Sequence, residues 1–208
     1  MAGLPFKSGL VPVNKGGAGV VQGAFETFQT SVAAPAMYTG DIVALSPNGQ
    51  VVLATSAGQD VLGVVAGFFW VDPTTKQPVE SRYKIASVSS AAGLYNGIRF
   101  AAGKAGPGVK VITDENQLYA VKATTSVAVT KLGDKIKWQR TAGSNVTGQS
   151  DGTVSAGTPT SVMILRVAGV YRAQEIAYTS AIGKLTVDND WGVDDTVILV
   201  KLDDEVRL

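Results

Sequence analysis

Short apolar segments separated by turn residues recur along the chain, and the pattern is clearest over residues 39–67. There it predicts a strand at residues 41–45, a turn at residues 46–49 and a second strand at residues 50–54. Proline sets the φ angle that the second position of a turn needs, and the Asn-Gly pair that follows it adopts positive φ with little strain. The segment therefore predicts a β-hairpin, and a third strand follows that begins at Leu62-Gly63.

The rest of the chain continues this pattern. Further short strands are predicted at residues 82–88, 109–113, 117–123, 125–130, 162–171 and 196–202. Only residues 173–182 have a helical pattern, and it is weak. The sequence predicts an all-β fold, a barrel or sandwich of short antiparallel strands with an extended N-terminal arm.

Two segments between these strands differ in polarity. Residues 68–71, Phe-Phe-Trp-Val, are predicted to be the buried end of a strand, because large contiguous apolar patches are uncommon on monomers. Residues 141–160 contain no large apolar side chain except Val146 and Val154. They are predicted to form a polar surface loop.

Residues 1–37 differ from the rest of the chain because they are poor in charge and rich in glycine and proline. Two interpretations stay open: an extended arm that is satisfied on another subunit, or a first strand with loops inside the domain. Residues 38–208 are predicted to form a single β-rich domain. For the arm, the candidate partner-binding residues are the apolar ones, Leu4, Phe6, Leu10, Val11 and Val13.

A short pattern occurs twice in the chain. Gly40-Asp41 is followed downstream by an apolar strand with the residues Val65-Ala66-Gly67, and Gly133-Asp134 is followed by one with Val167-Ala168-Gly169. One interpretation is a duplication with related halves at residues 38–130 and 131–208. The other is that short strands with glycine turns produce such a recurrence by chance.

Composition narrows the classes of function. Lys plus Arg number 18 and Asp plus Glu number 17, so the net charge of +1 disfavours nucleic acid and anionic membranes as partners. The chain has no apolar run long enough for a membrane span. It contains no cysteine and no histidine, which removes disulfides, thiolate sites, the commonest general base and the commonest metal ligand. We expect no enzyme, no catalytic residue and no cofactor.

The motifs that suggest a ligand do not have the required spacing. Residues 97–104, GIRFAAGK, carry one residue too many between the glycines for a phosphate loop, and Ala105 stands where Ser or Thr must hold magnesium. The carboxylates of residues 188–195 do not follow the order of an EF-hand. We therefore expect no metal site. Trp70, Trp138 and Trp191 leave a sugar-binding platform open as an alternative, and a carboxylate hydrolase is a further one.

The stretch GDIVAL-SPNGQVVLA, followed by LGVVAG, resembles a recurring pattern of bacteriophage capsid decoration (cement) proteins. The resemblance covers residues 39–67 and extends loosely to Gly133-Asp134 and residues 167–170. It implies a virion protein that is made in the host cytoplasm and binds the outside of an assembled head. Its partner would be the major capsid protein, and a homo-oligomer, most often a trimer, would tie neighbouring capsomers together. A tail, fibre or capsid-lattice protein and a carbohydrate-binding β-domain are the alternatives.

Overall fold

The computed structural model describes residues 9–13, 25–55, 60–84, 93–101, 106–114, 116–156, 165–171 and 196–203. In these residues the chain is all-β, as the sequence predicts. The strands are β1 (Val11–Val13), β2 (Phe25–Thr30), β3 (Met37–Tyr38), β4 (Ile42–Leu45), β5 (Gln50–Leu53), β6 (Val61–Val71), β7 (Pro78–Ser81), β8 (Tyr83–Lys84), β9 (Leu94–Tyr95), β10 (Ile98–Arg99), β11 (Gly108–Ile112), β12 (Leu118–Lys122), β13 (Lys135–Gln139), β14 (Thr153–Ser155), β15 (Leu165–Val170) and β16 (Val197–Leu202).

The first half of the described chain closes into a barrel, which we call the first ring. Its strands are β2, β5, β4, β6 and β11, each paired with the next, and β11 pairs back to β2. All of these pairings are antiparallel except the one between β2 and β5, which is parallel. Closure removes most free edges from the sheet, which is the usual purpose of a barrel.

The second half repeats this order of pairings in what we call the second ring. Its strands are β12, β14, β13, β15 and β16, and β16 pairs back to β12. The step from β12 to β14 is a bridge between Ala123 and Val154, and it is parallel, like the step from β2 to β5. Strand β1 lies along the outer side of β12.

The agreement between the rings extends to single hydrogen bonds. The Gly40 N–H donates to Val65 O at 2.9 Å, and the Gly133 N–H donates to Val167 O at 2.9 Å. Both glycines have positive φ, +91° and +85°, which an L side chain rarely adopts. The register shifts at Ala66 in β6 and at the equivalent Ala168 in β15, so both Val-Ala-Gly segments form the same bulge.

The two rings thus share one order of pairings and one bulge, and a duplication stays a prediction. The two rings span residues 25–112 and 118–202, so the repeated unit begins at β2 and not at residue 38. Residues 25–37 accordingly belong to the first ring and the segment after it. Of the N-terminal 37 residues, only a shorter segment before β2 remains for an arm.

The cores of the two rings are joined. The interior of the first ring contains Val43, Val51 and Val65. Ile42 and Ala44 lie on the opposite face of β4 from Val43, because side chains alternate along a strand. They belong to the second cluster, which is built around side chains of the second ring, such as Ile136. The outer face of the first ring thus packs against the second ring.

The structure confirms the predicted hairpin and several strands. Gly49 has φ of +73°, and the Ser46 N–H donates to Gln50 O at 2.8 Å across the turn. Strand β6 contains the apolar residues 68–71, of which Phe68 is 1% exposed and the other three are half-buried. The predicted strand at residues 196–202 is β16. The segments 173–182 and 188–195 lie outside the described residues.

Two predictions about elements are wrong. The predicted surface loop at residues 141–160 contains strand β14, and Ser150 and Val154 are fully buried. Its polar composition misleads because Ser150 is satisfied by a buried hydrogen bond and Val154 closes the second ring. The predicted strand at residues 125–130 is instead a bend followed by a 3-10 turn, Val129–Lys131. Its β-branched residues favour extended backbone, but no described strand pairs with them.

Candidate subunit-interaction site

Of the predicted arm before β2, the structure describes residues 9–13, which include strand β1. It pairs antiparallel with β12, with Val11 opposite Ala120 and Val13 opposite Leu118. The Gln117 side-chain amide donates to Val13 O at 2.9 Å. The Leu10 N–H donates to Gly40 O at 3.1 Å. These bonds hold β1 against its own chain.

The structure describes three of the five predicted partner-binding residues. Leu10 is 1% exposed and packs in the joint core, so its side chain is not available at the surface of the described chain. Val11 and Val13 are half-buried on β1. Leu4 and Phe6 lie outside the described residues. A role for these residues in binding a partner stays a prediction.

Pro12 leaves the outer edge of β1 without one backbone N–H. The Ala123 N–H donates to Thr196 O, next to β16, so the backbone groups of Leu118 and Ala120 point to β1. Val11 and Val13 pair with those two residues, and the backbone of Pro12 therefore faces away from β12. Because proline has no N–H, this outer edge lacks a donor that a further regular strand would use.

A buried polar cluster ties the two rings together near β1. Asp41 is fully buried, and its carboxylate accepts hydrogen bonds from Ser150 Oγ at 2.6 Å and from the Tyr38 N–H at 3.1 Å. Arg140, which follows β13, donates from Nη2 to Asp41 Oδ2 at 3.3 Å and to Ala36 O at 2.7 Å. Burial raises the pKa of Asp41, and Ser150 and Arg140 oppose that rise.

This cluster has the geometry of a structural tie. The Ser150 hydroxyl donates a hydrogen bond to the Asp41 carboxylate, and the chain has no histidine that could act as its base. Asp41 and Ser150 have no exposed surface through which a substrate could reach them. The Asp41 carboxylate instead links the start of β4 to the segment between β13 and β14.

Two more charged groups are buried outside this cluster in the part of the chain that the structure describes. Asp203 accepts from Lys135 Nζ at 2.6 Å and from Arg166 Nη2 at 3.0 Å. Burial alone would raise its pKa, but these two cations hold the pKa of Asp203 below its usual value. Lys84 is 2% exposed and donates to Ala34 O at 2.8 Å, and burial lowers its pKa to about 8.

Other kinds of site were sought in the described residues. No group of three or more acidic, histidine or cysteine side chains among them could hold a metal ion. None of the helical segments in these ranges is long and apolar enough to cross a membrane. Trp138 is 3% exposed, so it is not available to stack on a sugar.

Large apolar side chains are exposed at several positions on the described surface. Among them are Val146 at 95%, Ile98 at 58% and Phe25 at 53%. Phe25 begins β2, and the sequence analysis missed it because residues 25–30 fell inside the predicted arm. The alternation of Phe25, Thr27 and Gln29 with their neighbours is weak, since both faces of this strand carry polar residues.

No protein-family model matches the chain, and neither does any curated protein or any solved structure.

Proposed function

We propose that this protein is a virion structural protein that binds the outside of an assembled phage head and stabilises contacts between capsomers. The observation that carries the proposal is the resemblance of residues 39–67 to capsid decoration proteins. Its partner would be the major capsid protein, and the protein would act on the virion surface as a homo-oligomer, with a trimer favoured.

The physical character of the described surface supports a binding role of this kind. The buried polar groups Asp41 and Ser150 form a hydrogen bond with each other, while apolar side chains such as Phe25 and Ile98 face outward. A protein that binds a lattice through several linked copies needs only modest contacts at each site. Once one copy is bound, the others bind at a high effective concentration. It needs no titratable or catalytic group.

The N-terminal segment before β1 is the proposed arm that joins the protein to the head, directly or through a sister subunit. Leu4 and Phe6 are its large apolar residues, and an extended apolar segment can add a strand to an exposed sheet edge. Neither nucleic acid nor membrane is a proposed partner, because the net charge is +1.

Sedimentation with phage heads tests the proposal. The purified chain is mixed with expanded, DNA-filled heads and, separately, with unexpanded procapsids. We expect it to sediment with the expanded heads only. Deleting residues 1–8 should abolish binding and leave the chain folded, as circular dichroism measures, because β1 and both rings remain. The matched control is Val146→Ser, which alters an exposed apolar residue elsewhere on the surface.

Several results would contradict the proposal. Equal binding to procapsids, or no binding to heads, would exclude a decoration role. Binding to isolated tails or fibres would favour the alternative of a tail protein. Binding to a glycan panel with quenching of tryptophan fluorescence would favour the carbohydrate-binding alternative.

A further inference from the structure

Strand β2 has one side that the described strands cover only in part. The Thr30 N–H donates to Pro107 O, next to β11, so the backbone groups of Thr30, Phe28 and Glu26 point to β11. Those of Gln29 point to β5, with which it pairs. Those of Phe25 and Thr27 point the same way but lie beyond the end of β5, and all of residues 25–27 are exposed. We call this side of residues 25–27 the open edge.

The second ring shows what lies at the equivalent place. Phe25 corresponds to Leu118 and Thr27 to Ala120, because Thr30 and Ala123 make equivalent parallel pairings. In the second ring, Leu118 and Ala120 pair with Val13 and Val11 of β1. Within the described ranges, the two rings therefore have equivalent edges, of which one is covered by an apolar-Pro-apolar strand and the other by no strand.

The sequence contains a second segment of the same kind. Val11-Pro12-Val13 covers the edge of β12, and Leu4-Pro5-Phe6 repeats the apolar-Pro-apolar order seven positions earlier. We propose that Leu4-Pro5-Phe6 of one copy of this chain binds as an antiparallel strand along the open edge of β2 in a second copy.

The covered edge fixes the register of this pairing. By analogy with β1, Leu4 pairs with Thr27, Pro5 with Glu26 and Phe6 with Phe25. Phe6 and Phe25 then form a cross-strand aromatic pair, which is among the stabilising pairs in antiparallel sheets. Pro5 turns its missing N–H away from β2, as Pro12 does on β12, so the added strand ends the sheet.

Charge also favours this arrangement. Lys7 lies two positions beyond Pro5 and would stand diagonally across from Glu26 on the same face of the sheet. The Glu26 carboxylate is exposed, and in the described residues it accepts a hydrogen bond from Thr113 Oγ1 at 3.2 Å. It thus remains accessible to an ammonium group of the added strand.

This contact joins one surface of a copy to a different surface of the next. Such a heterologous contact closes into a ring of subunits when the rotation between copies allows it. The inference rests on the arm of the proposed function but not on its capsid target, since it concerns copies of this chain alone.

Disulfide trapping tests the pairing, because the chain has no cysteine of its own. Phe6→Cys and Phe25→Cys variants are purified separately, mixed and oxidised. Opposed residues in an antiparallel pair lie within the range of Cα separations that a disulfide spans. We expect the mixture to give a heterodimer as its main cross-linked product. The control mixes Phe6→Cys with Ile98→Cys, an equally exposed position on β10, and should give no more than trace cross-linking.

Sedimentation velocity of the full chain provides the second measurement. We expect an oligomer that Thr27→Pro weakens by at least about tenfold in association constant, because proline removes the outward N–H of the open edge. Thr27→Val keeps that N–H and should associate like the parent chain. Deleting residues 1–6 should give a monomer with unchanged circular dichroism.

Distinct results would overturn the inference. A monomer at all concentrations, or equal cross-linking in the control mixture, would show that the open edge does not bind a second copy. An intrachain disulfide without dimer in the Phe6→Cys, Phe25→Cys double variant would show that the segment binds its own chain. Head binding by a strictly monomeric protein would overturn this inference and the homo-oligomer of the proposed function but not its head binding, and an oligomer that ignores heads would overturn the head binding alone.

Discussion

Asp41 and Asp134 hold equivalent positions in the two rings, but their surroundings differ. Asp41 is fully buried and accepts hydrogen bonds from Ser150, the Tyr38 N–H and Arg140. The Asp134 side chain is 53% exposed and pairs with Lys131 at 3.2 Å. Both residues follow a glycine with positive φ, so the backbone role is shared and the role of the side chain is not.

A matched pair of substitutions measures this difference. Asp41→Asn should lower the free energy of unfolding by about 2–3 kcal/mol, because an amide N–H₂ would face the donors of Tyr38 and Arg140. Asp134→Asn should cost less than about 0.5 kcal/mol, since exposed ion pairs contribute little. Urea unfolding of both variants checks this. Equal losses would show that the buried cluster does not tie the rings together.

The burial of Lys84 makes the free energy of unfolding depend on pH. Its pKa is about 8 in the folded chain and 10.5 ordinarily, so between these values the unfolded chain binds more protons than the folded one. The free energy of unfolding therefore rises with pH over this range, by up to about 3 kcal/mol from this group. Well below pH 8 the lysine is protonated in both states, so the free energy of unfolding does not change with pH through this group.

Replacing the lysine tests the prediction. Lys84→Met should remove the rise between pH 8 and pH 10.5, measured by urea unfolding at several pH values. Lys137→Met, at a half-buried position on β13, is the control and should keep the rise. A parent chain whose stability stays flat or falls over this range would contradict the assignment to Lys84.

At the scale of single elements, β1 decides where the arm ends and the fold begins. Leu10 is 1% exposed and belongs to the joint core, although it lies only a few residues from the start of the chain. Leu10→Ala should therefore cost about 2–4 kcal/mol of unfolding free energy, as large-to-small changes in cores do. Val129→Ala, at a residue 55% exposed, should cost little. Thermal melts compare the two, and equal effects would show that β1 is not part of the core.

The sequence predicts elements well where local patterns decide them. The hairpin of β4 and β5 follows from apolar segments around a Pro-Asn-Gly turn, and β16 follows from a bounded apolar run. Strand β14 could not be predicted because its burial depends on Val154 meeting Ala123, a partner far away in sequence. Strand β2 could not be predicted for the same reason, since its neighbours β5 and β11 come later in the chain.

The candidate site was harder to predict than the fold. The sequence names apolar residues near the N-terminus, but it does not show that Leu10 is buried while Val11 and Val13 cover an edge. It also gives no sign that Phe25 and Thr27 face outward, because the direction of backbone groups depends on which strands pair. Only a comparison of the two rings distinguishes a covered edge from an open one.

At the scale of the whole molecule, the joint core predicts cooperative unfolding. Ile42 and Ala44 of the first ring pack in the same cluster as Ile136 and Trp138 of the second. Calorimetry at fixed protein concentration should therefore show one transition, with equal calorimetric and van't Hoff enthalpies. Two separate transitions would show that the rings are independent units despite their contact.

The repeat of one ring within a single chain also affects the symmetry of any assembly. A trimer of this chain would contain twice as many rings as subunits, and rings of the two kinds would alternate if they lie around one axis. Such an assembly would be nearly sixfold in backbone but only threefold in its edges, because one edge of each pair is covered by β1 of its own chain and the other by a strand of another copy. A surface lattice with local sixfold geometry could then be matched by three identical chains, each in a single defined orientation.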